Sequence, residues 1–233
     1  MIELSMAQVV LAVVPVTVAV LIYGRVVDDW TSVLWATLRM FTQLLAIGYG
    51  LAIIFGLDSP GWVLLVIAIM MFGAGWISLR PVRKHKVAYW PIFVSIGVTS
   101  LLNLFWIMAF VIQPDPWYSP SVIIPLAGMV ISNAMNSVSL CVERYYSECS
   151  DGKAVAQARK NALSAAMIPQ INSLMAVGLV SLPGMMTGQI LSGVSPMIAV
   201  RYQIVIMSMI LSNSALGSFL YLALQSKGSG ESG

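Results

Sequence analysis

Apolar runs of close to twenty residues recur along almost the whole chain, and they restrict its fold more than any other feature. A helix needs roughly 18–20 apolar residues to cross the hydrocarbon core of a bilayer. Such runs must be helical, because lipid offers no partner to an unpaired backbone N–H or C=O. They lie at about 6–24, 33–56, 61–79, 88–112, 120–142, 162–182 and 197–224. Charge is correspondingly scarce: 9% of the residues are charged, against roughly a quarter in a soluble domain. The reading is an all-α polytopic membrane bundle of about seven transmembrane helices, forming a single domain over residues 1–226. The remainder, 227–233 (KGSGESG), reads as a flexible linker. No small-residue cleavage site comes after the first run, so it reads as a retained span and not a signal peptide.

The breaks between runs are chemically distinct. The polar segment 25–29 (RVVDD) ends the first span, Asp58-Ser59-Pro60-Gly61 forms a turn, and Gln113-Pro114-Asp115-Pro116 cannot continue a helix. With the N-terminus outside, the inner loops hold Arg25, Arg80, Arg83, Lys84, Lys86, Arg144, Lys153, Arg159, Lys160 and Lys227, ten of the twelve basic residues. The outer segments hold none, only Glu3, Asp58 and Asp115. Positive residues concentrate on the cytoplasmic side of membrane proteins, so the expected topology is N-terminus outside and C-terminus cytosolic, in a plasma membrane. The net charge of +3 is small and does not suggest nucleic acid. No internal repeat is visible, so a carrier built from two copies of one unit has no support.

Polar and small residues form stripes on several spans. In the fifth, Gly128, Ser132, Asn136 and Ser139 recur at intervals of four, four and three, on one narrow helical face. The second span carries Ser32, Arg39, Gln43, Ala46 and Gly50; the sixth opens with Gln170, Asn172 and Ser173; the seventh has Arg201, Ser208 and Ser212. Two readings stand for each stripe. Small residues let helices approach and Ser, Asn and Gln bond across interfaces; the same residues line a transport pathway. For Arg39 the balance favours function, because a cation inside the membrane is costly, although about two turns into its span it can also snorkel to the surface. The stretch 183–196 (PGMMTGQILSGVSP) reads either as a short helix or re-entrant segment, or as an ordinary outer loop. Met185 and Met186 in it are weak candidates for metal ligation, since thioethers suit soft ions but also fill apolar gaps.

Several chemistries lack their residues. No span contains Asp or Glu, and the one histidine, His85, lies in a basic loop. No HExxH, GxSxG or Walker A pattern exists, so neither a membrane enzyme nor ATP binding in this chain is expected. Cys141 and Cys149 lie near a cytosolic end without metal-binding spacing, and a structural disulfide is not expected.

The strings IIPLAGMVISNAMNSVSLCVER (123–144), AAMIPQINSLMAVGLVSLPGMMTGQILSG (165–193) and SPMIAVRYQIVI (195–206) resemble the FetB family of bacterial permeases, which is related to plant aluminium-tolerance proteins. The resemblance is strongest over about 120–215. It implies the permease subunit of an ABC transporter in the bacterial inner membrane, forming a homodimer and pairing with a separate ATP-binding cassette subunit that binds ATP and Mg. It implies iron export, with nucleotide-sugar transport as the alternative suggested by the plant relatives. Combined with the stripes, it selects Arg39, Gln43, Asn133, Asn136, Asn172, Met185, Met186 and Gln189 as pathway or gate residues; Asn133 lies off the stripe and rests on the resemblance. It also implies an amphipathic coupling helix centred on glycine between spans five and six. Here only residues 143–153 precede the run 154–162, which is short for such an element. Arg144, Gly152, Lys153 and Arg159 are the expected contacts with the ATPase. A stand-alone channel or facilitator fits the missing carboxylates equally well, and a membrane scaffold is a third class.

Overall fold

A computed structural model describes residues 5–54, 56, 59–82 and 87–228. Glu3, Asp58, Arg83, Lys84, His85, Lys86 and the tail residues 229–233 lie outside the described residues, as does the side chain of Lys227. The chain divides into two compact units, Met1–Asp58 and Ser59–Gly233.

The first unit contains α1 (Met6–Leu11), α2 (Val14–Val27) and α3 (Trp30–Ile54). The span expected at 6–24 is thus two helices, parted at Ala12 and Val13. Pro15 is the reason. It sits in the first turn of α2, where its missing N–H is not needed, whereas in one continuous helix its ring would strike the carbonyl four residues back. The turn into α3 is set locally. Asp28 adopts a left-handed φ of 57°, and the Asp29 carboxylate accepts the Ser32 N–H at 3.1 Å and the Thr31 hydroxyl at 3.0 Å, capping α3. A Cβ on Gly24 would lie 2.8 Å from the Cβ of Trp30, so only glycine lets the hairpin close. No α2 residue is buried within this structure.

The second unit contains α4 (Pro60–Ser78), a 3-10 turn (Arg80–Val82), α5 (Trp90–Trp106) continued by a π-helical turn (Ile107–Ile112), α6 (Pro120–Ser150), α7 (Val155–Ala176), α8 (Gly184–Leu191) and α9 (Pro196–Gly228). Among the described residues four helical segments are long and apolar enough to cross a membrane: Pro60–Val82, Trp90–Ile112, Pro120–Ser150 and Pro196–Gln225. Each starts at or beside a proline, Pro60, Pro91, Pro120 or Pro196, which is preset for the first helical turn. The break after the fourth apolar run falls where Gln113-Pro114 predicts it. Gln113 turns left-handed at φ 47° and donates its N–H to the Met108 carbonyl at 3.0 Å, closing the π-helical turn.

The sixth apolar run differs from its expectation of 162–182. Its helix, α7, begins at Val155 and ends at Ala176. The polar stretch 157–161 (QARKN) forms helix as readily as the apolar residues after it. Beyond Ala176, Gly178 takes a φ of 81° and folds the chain back: its N–H donates to the Ser181 carbonyl (2.9 Å), and Ser181 N–H donates to the Ala176 carbonyl (3.1 Å). Of the two readings of 183–196, the short helix is the one present, as α8.

Helix α6 is the centre of this unit, packing against α4, α5, α7 and α9. Between apolar helices in lipid no hydrophobic force favours contact, so close approach and polar bonds decide it. The α5–α6–α9 junction has both. Asn213, fully buried, donates through Nδ2 to Ser100 Oγ (3.0 Å) and to the Val130 carbonyl (3.1 Å). One turn on, a Cβ at Gly217 would already stand 3.3 Å from Val138 and 3.4 Å from Thr99. On the α4 side, Ser78 Oγ donates to the Met135 carbonyl at 3.3 Å. Toward α7, the fully buried Ala158, Ala162 and Ala166 allow close approach.

One end of the bundle collects charge. The turn after α4 and the end of α6 share a polar cleft lined by Pro81, Val82, Glu143, Ser147, Ser150 and Asp151, and Gln225 near the end of α9 donates to the Tyr146 hydroxyl at 2.7 Å. Arg80, Arg144, Lys153, Arg159 and Lys160 therefore lie at the same end of this unit as the acids Glu143, Glu148 and Asp151.

The junction yields a stability prediction. Gly217→Leu should lower the unfolding free energy by about 1–3 kcal/mol through overpacking, and Asn213→Leu by about 1–2 kcal/mol through lost interhelical bonds. Detergent-solubilised protein should show both as a lower Tm; wild-type Tm values in both variants would mean that the junction does not hold the bundle.

Candidate functional site

The polar stripe expected on the fifth span divides in two on α6. Gly128, Met135 and Ser139 turn toward α4: a Cβ on Gly128 would lie 3.2 Å from Met70, and Ser139 Oγ lies 3.5 Å from the Ser78 carbonyl. These residues pack helices. Ser132 and Asn136 instead lie exposed on the outer face of the unit. Asn133 is half-buried and donates to the Met129 carbonyl of its own helix at 2.8 Å.

On α3, Arg39 and Gln43 are neighbours. With its amide oriented to present oxygen, Gln43 accepts from Arg39 Nε at 3.0 Å and Nη2 at 3.2 Å. The i, i+4 spacing makes this contact, and it partly meets the hydrogen-bonding demand of a guanidinium in an apolar helix.

On α7, Gln170 is buried and its Nε2 lies 3.4 Å from Ser137 Oγ on α6, while Asn172 and Ser173 are exposed. A cavity of about 330 Å³ opens between the end of α7, α8 and α9, lined by Leu174, Val177, Met186, Gln203, Met207 and Ser208 among others. Met186 and Met207 bring two thioethers to the same cavity. Met185 and Gln189 stand beside Met186 on α8. The buried side-chain oxygens of Gln189 and Gln203 accept no hydrogen bond. A buried acceptor left unpaired is costly, which marks this α8–α9 region as the least satisfied polar environment among the expected pathway residues. Among the described residues no group of three or more His, Cys, Asp and Glu is placed to hold a metal ion.

The expected ATPase contacts gather where α6 ends and α7 begins. Helix α6 has 31 residues, about 46 Å at 1.5 Å per residue, whereas the hydrocarbon core is about 30 Å thick. Its apolar part ends at Val142, and the last turns bear Glu143, Arg144 and Glu148. Helix α7 returns alongside with Gln157, Arg159, Lys160 and Asn161. In place of a separate coupling helix, the segment is therefore a helix–turn–helix with Gly152 at the turn, φ 76°. Arg144 and Lys153 are each about half exposed, and both engage Glu148, whose side chain is 2% exposed. The Lys153 ammonium, the Asn161 amide and the Arg144 guanidinium all converge on the Glu148 carboxylate. Arg159 is half-buried.

Three groups of consequence escape the stripe argument. Asn213 and Gln203 lie on α9 faces that the Arg201/Ser208/Ser212 stripe does not include. Glu148 had a legible signal, an acid four residues after Arg144 and five before Lys153, at pairing distance along a helix and across a turn.

The chain is similar to known membrane proteins over most of its length. It is 39% identical over 208 residues to a UPF0014 membrane protein of Synechocystis, covering 82% of this chain and 80% of the relative. It is 33% identical over 226 residues to the probable iron export permease protein FetB of Escherichia coli, covering 90% and 86%. It is 28% identical over 223 residues to protein ALUMINUM SENSITIVE 3 of Arabidopsis thaliana, covering 89% and 81%. No solved structure matches it. The model of the uncharacterised protein family UPF0014 matches residues 4–228, so the chain belongs to the UPF0014 family of membrane proteins.

Proposed function

We propose that this chain is the permease subunit of an ABC exporter for a metal ion, iron foremost, working in the bacterial inner membrane as a single transmembrane domain within a homodimer. A separate ATP-binding cassette subunit binds ATP and Mg and carries out hydrolysis. The observation that supports this reading most directly is the α6–α7 projection. A helix roughly half again as long as the membrane requires, paired with a second helix and tipped by exposed Arg144, Gly152 and Lys153, is a handle for a partner on the charged side. The relative named as a probable iron export permease supports the cargo. Asn136 and Asn133 on α6, Asn172 on α7, Met185, Met186 and Gln189 on α8, and Arg39 with Gln43 on α3 form the pathway or its gates in this reading. An ion leaving its hydration shell needs a succession of neutral oxygens and soft sulfurs, which amides and thioethers provide.

Purification from the native host should recover an ATP-binding subunit with the chain. In liposomes the pair should move Fe(II) only when ATP is supplied, with hydrolysis stimulated by the metal. Fe(II) flux through the chain alone, without nucleotide, would replace the exporter reading with a facilitator.

Replacing a pathway amide by an isosteric apolar group should leave assembly intact and slow transport. Asn136→Leu and Asn172→Leu should each reduce ATP-driven flux on the order of tenfold, about the free energy of one hydrogen bond, with unchanged co-purification of the ATPase. Wild-type flux in both variants would place the pathway elsewhere.

A further inference from the structure

The α6–α7 pair is fastened at intervals along its length. Deep in the bundle, Gln170 approaches Ser137 at 3.4 Å. In the middle, Ala158, Ala162 and Ala166 of α7 lie fully buried. At the projecting tip a single carboxylate, Glu148, takes donors from three stretches of chain. Arg144 binds Oε1 from one turn earlier in α6. Lys153 in the turn binds Oε2 at 2.6 Å, and Asn161 of α7 binds the same oxygen at 2.8 Å. Asn161 is itself oriented by Gln157, whose Nε2 donates to its Oδ1 at 2.8 Å. The Glu148 backbone carbonyl also accepts the Lys153 N–H at 3.2 Å.

This placement runs against simple electrostatics. The C-terminal end of a helix is the negative pole of its dipole, and an acid there is disfavoured. A carboxylate meant only to keep the tip soluble would be exposed, yet Glu148 is among the most buried residues in the unit. Alanine seams let helices approach but do little to fix their register, because the contact surface is smooth. A buried ionic group that must meet one set of partners does fix it, and register is the best-attested use of such groups.

We propose, on the reading of the chain as an ATP-driven permease, that Glu148 is a positioning residue that makes the α6–α7 hairpin one rigid lever. Movement of the tip by the ATP-binding subunit then reaches α6 and α7 together. Without the clamp, the turn at 151–154 absorbs it. Glu148 touches neither cargo nor nucleotide; it acts through Arg144, Lys153 and Asn161.

The test compares Glu148→Gln and Asn161→Ala with the wild type in complex with the ATPase. Asn161→Ala removes the bond between the two helices without unpairing a charge, so it decides the matter if Glu148→Gln fails to fold. ATPase co-purification and ATP hydrolysis should stay near wild type. Cargo moved per ATP should fall about tenfold in Glu148→Gln, within the ordinary range of coupling between sites, and by less in Asn161→Ala. A merely structural residue would lower folded yield and hydrolysis and leave the ratio unchanged, which would overturn the proposal. Hydrogen exchange on the chain without its partner gives a second readout. Amides of the 150–155 turn should exchange faster in both variants, and equal rates in wild type and variants would show that no clamp exists. If the wild type recruits no ATPase at all, the exporter reading itself fails, and that result is distinct from a complex that assembles and couples normally without Glu148.

Discussion

The structure depends on the rule that hydrocarbon leaves no backbone polar group unpaired and gives helices no hydrophobic reason to associate. The first half of the rule explains the punctuation. Each of the four long spans starts at or beside a proline, where a missing N–H costs nothing, and the chain reverses where a left-handed residue or glycine can turn it, as at Gln113, Gly152 and Gly178. The second half explains the core of the second unit. What draws α9 against α5 and α6 is a glycine that brings backbones together and an asparagine that reaches both neighbours. Large apolar side chains such as Phe105, Trp106 and Phe219 stay outside, facing what would be lipid.

These forces also determine how much of the fold is legible in the residues. The four long spans and the break at Gln113-Pro114 come from hydropathy and proline, whereas the sixth run breaks at Ala176–Gly178, ahead of the expected Pro183-Gly184. The boundaries of α7 are not legible in this way, because its first turns leave the apolar run and hydropathy alone cannot tell a helix that continues into water from a loop. The break between α1 and α2 was legible from Pro15, though the apolar run conceals it.

The candidate site is less legible than the fold for a physical reason. Packing and transport draw on the same residue types, so a stripe of Gly, Ser and Asn has two meanings until its neighbours are known. On α6 both meanings occur within one stripe. Gly128 and Ser139 serve the α4 contact, whereas Ser132 and Asn136 are left facing outward. Helical periodicity assigns these four residues to one face, but that face is wide enough to straddle the edge of a helix–helix contact. Asn213 was invisible for the opposite reason: a lone asparagine in a long apolar helix forms no pattern, and its importance comes entirely from what α5 and α6 bring beside it.

The two ends of the second unit differ in a way that bears on mechanism. At the charged end, α6 and α7 are joined by ion pairs and amide bonds around Glu148, although the buried Arg159 Nε there has no partner. At the other end, α8 is short, has no buried residue, and borders a cavity where the glutamines at 189 and 203 leave acceptors unpaired. Regions with few buried apolar contacts and unmet polar groups open at low free energy, and moving elements are drawn from them. In the proposed exporter this contrast assigns the work. On that proposal the hairpin would receive displacement from the partner, and the α8 segment, carrying Met185, Met186 and Gln189, would be where a small shift of α7 against α9 changes access. An arrangement with the stiffness reversed would dissipate movement at the handle before it reached any gate. In the proposed exporter, rigid input and soft output would follow from the Glu148 clamp at one end and the short α8, with no buried residue, at the other.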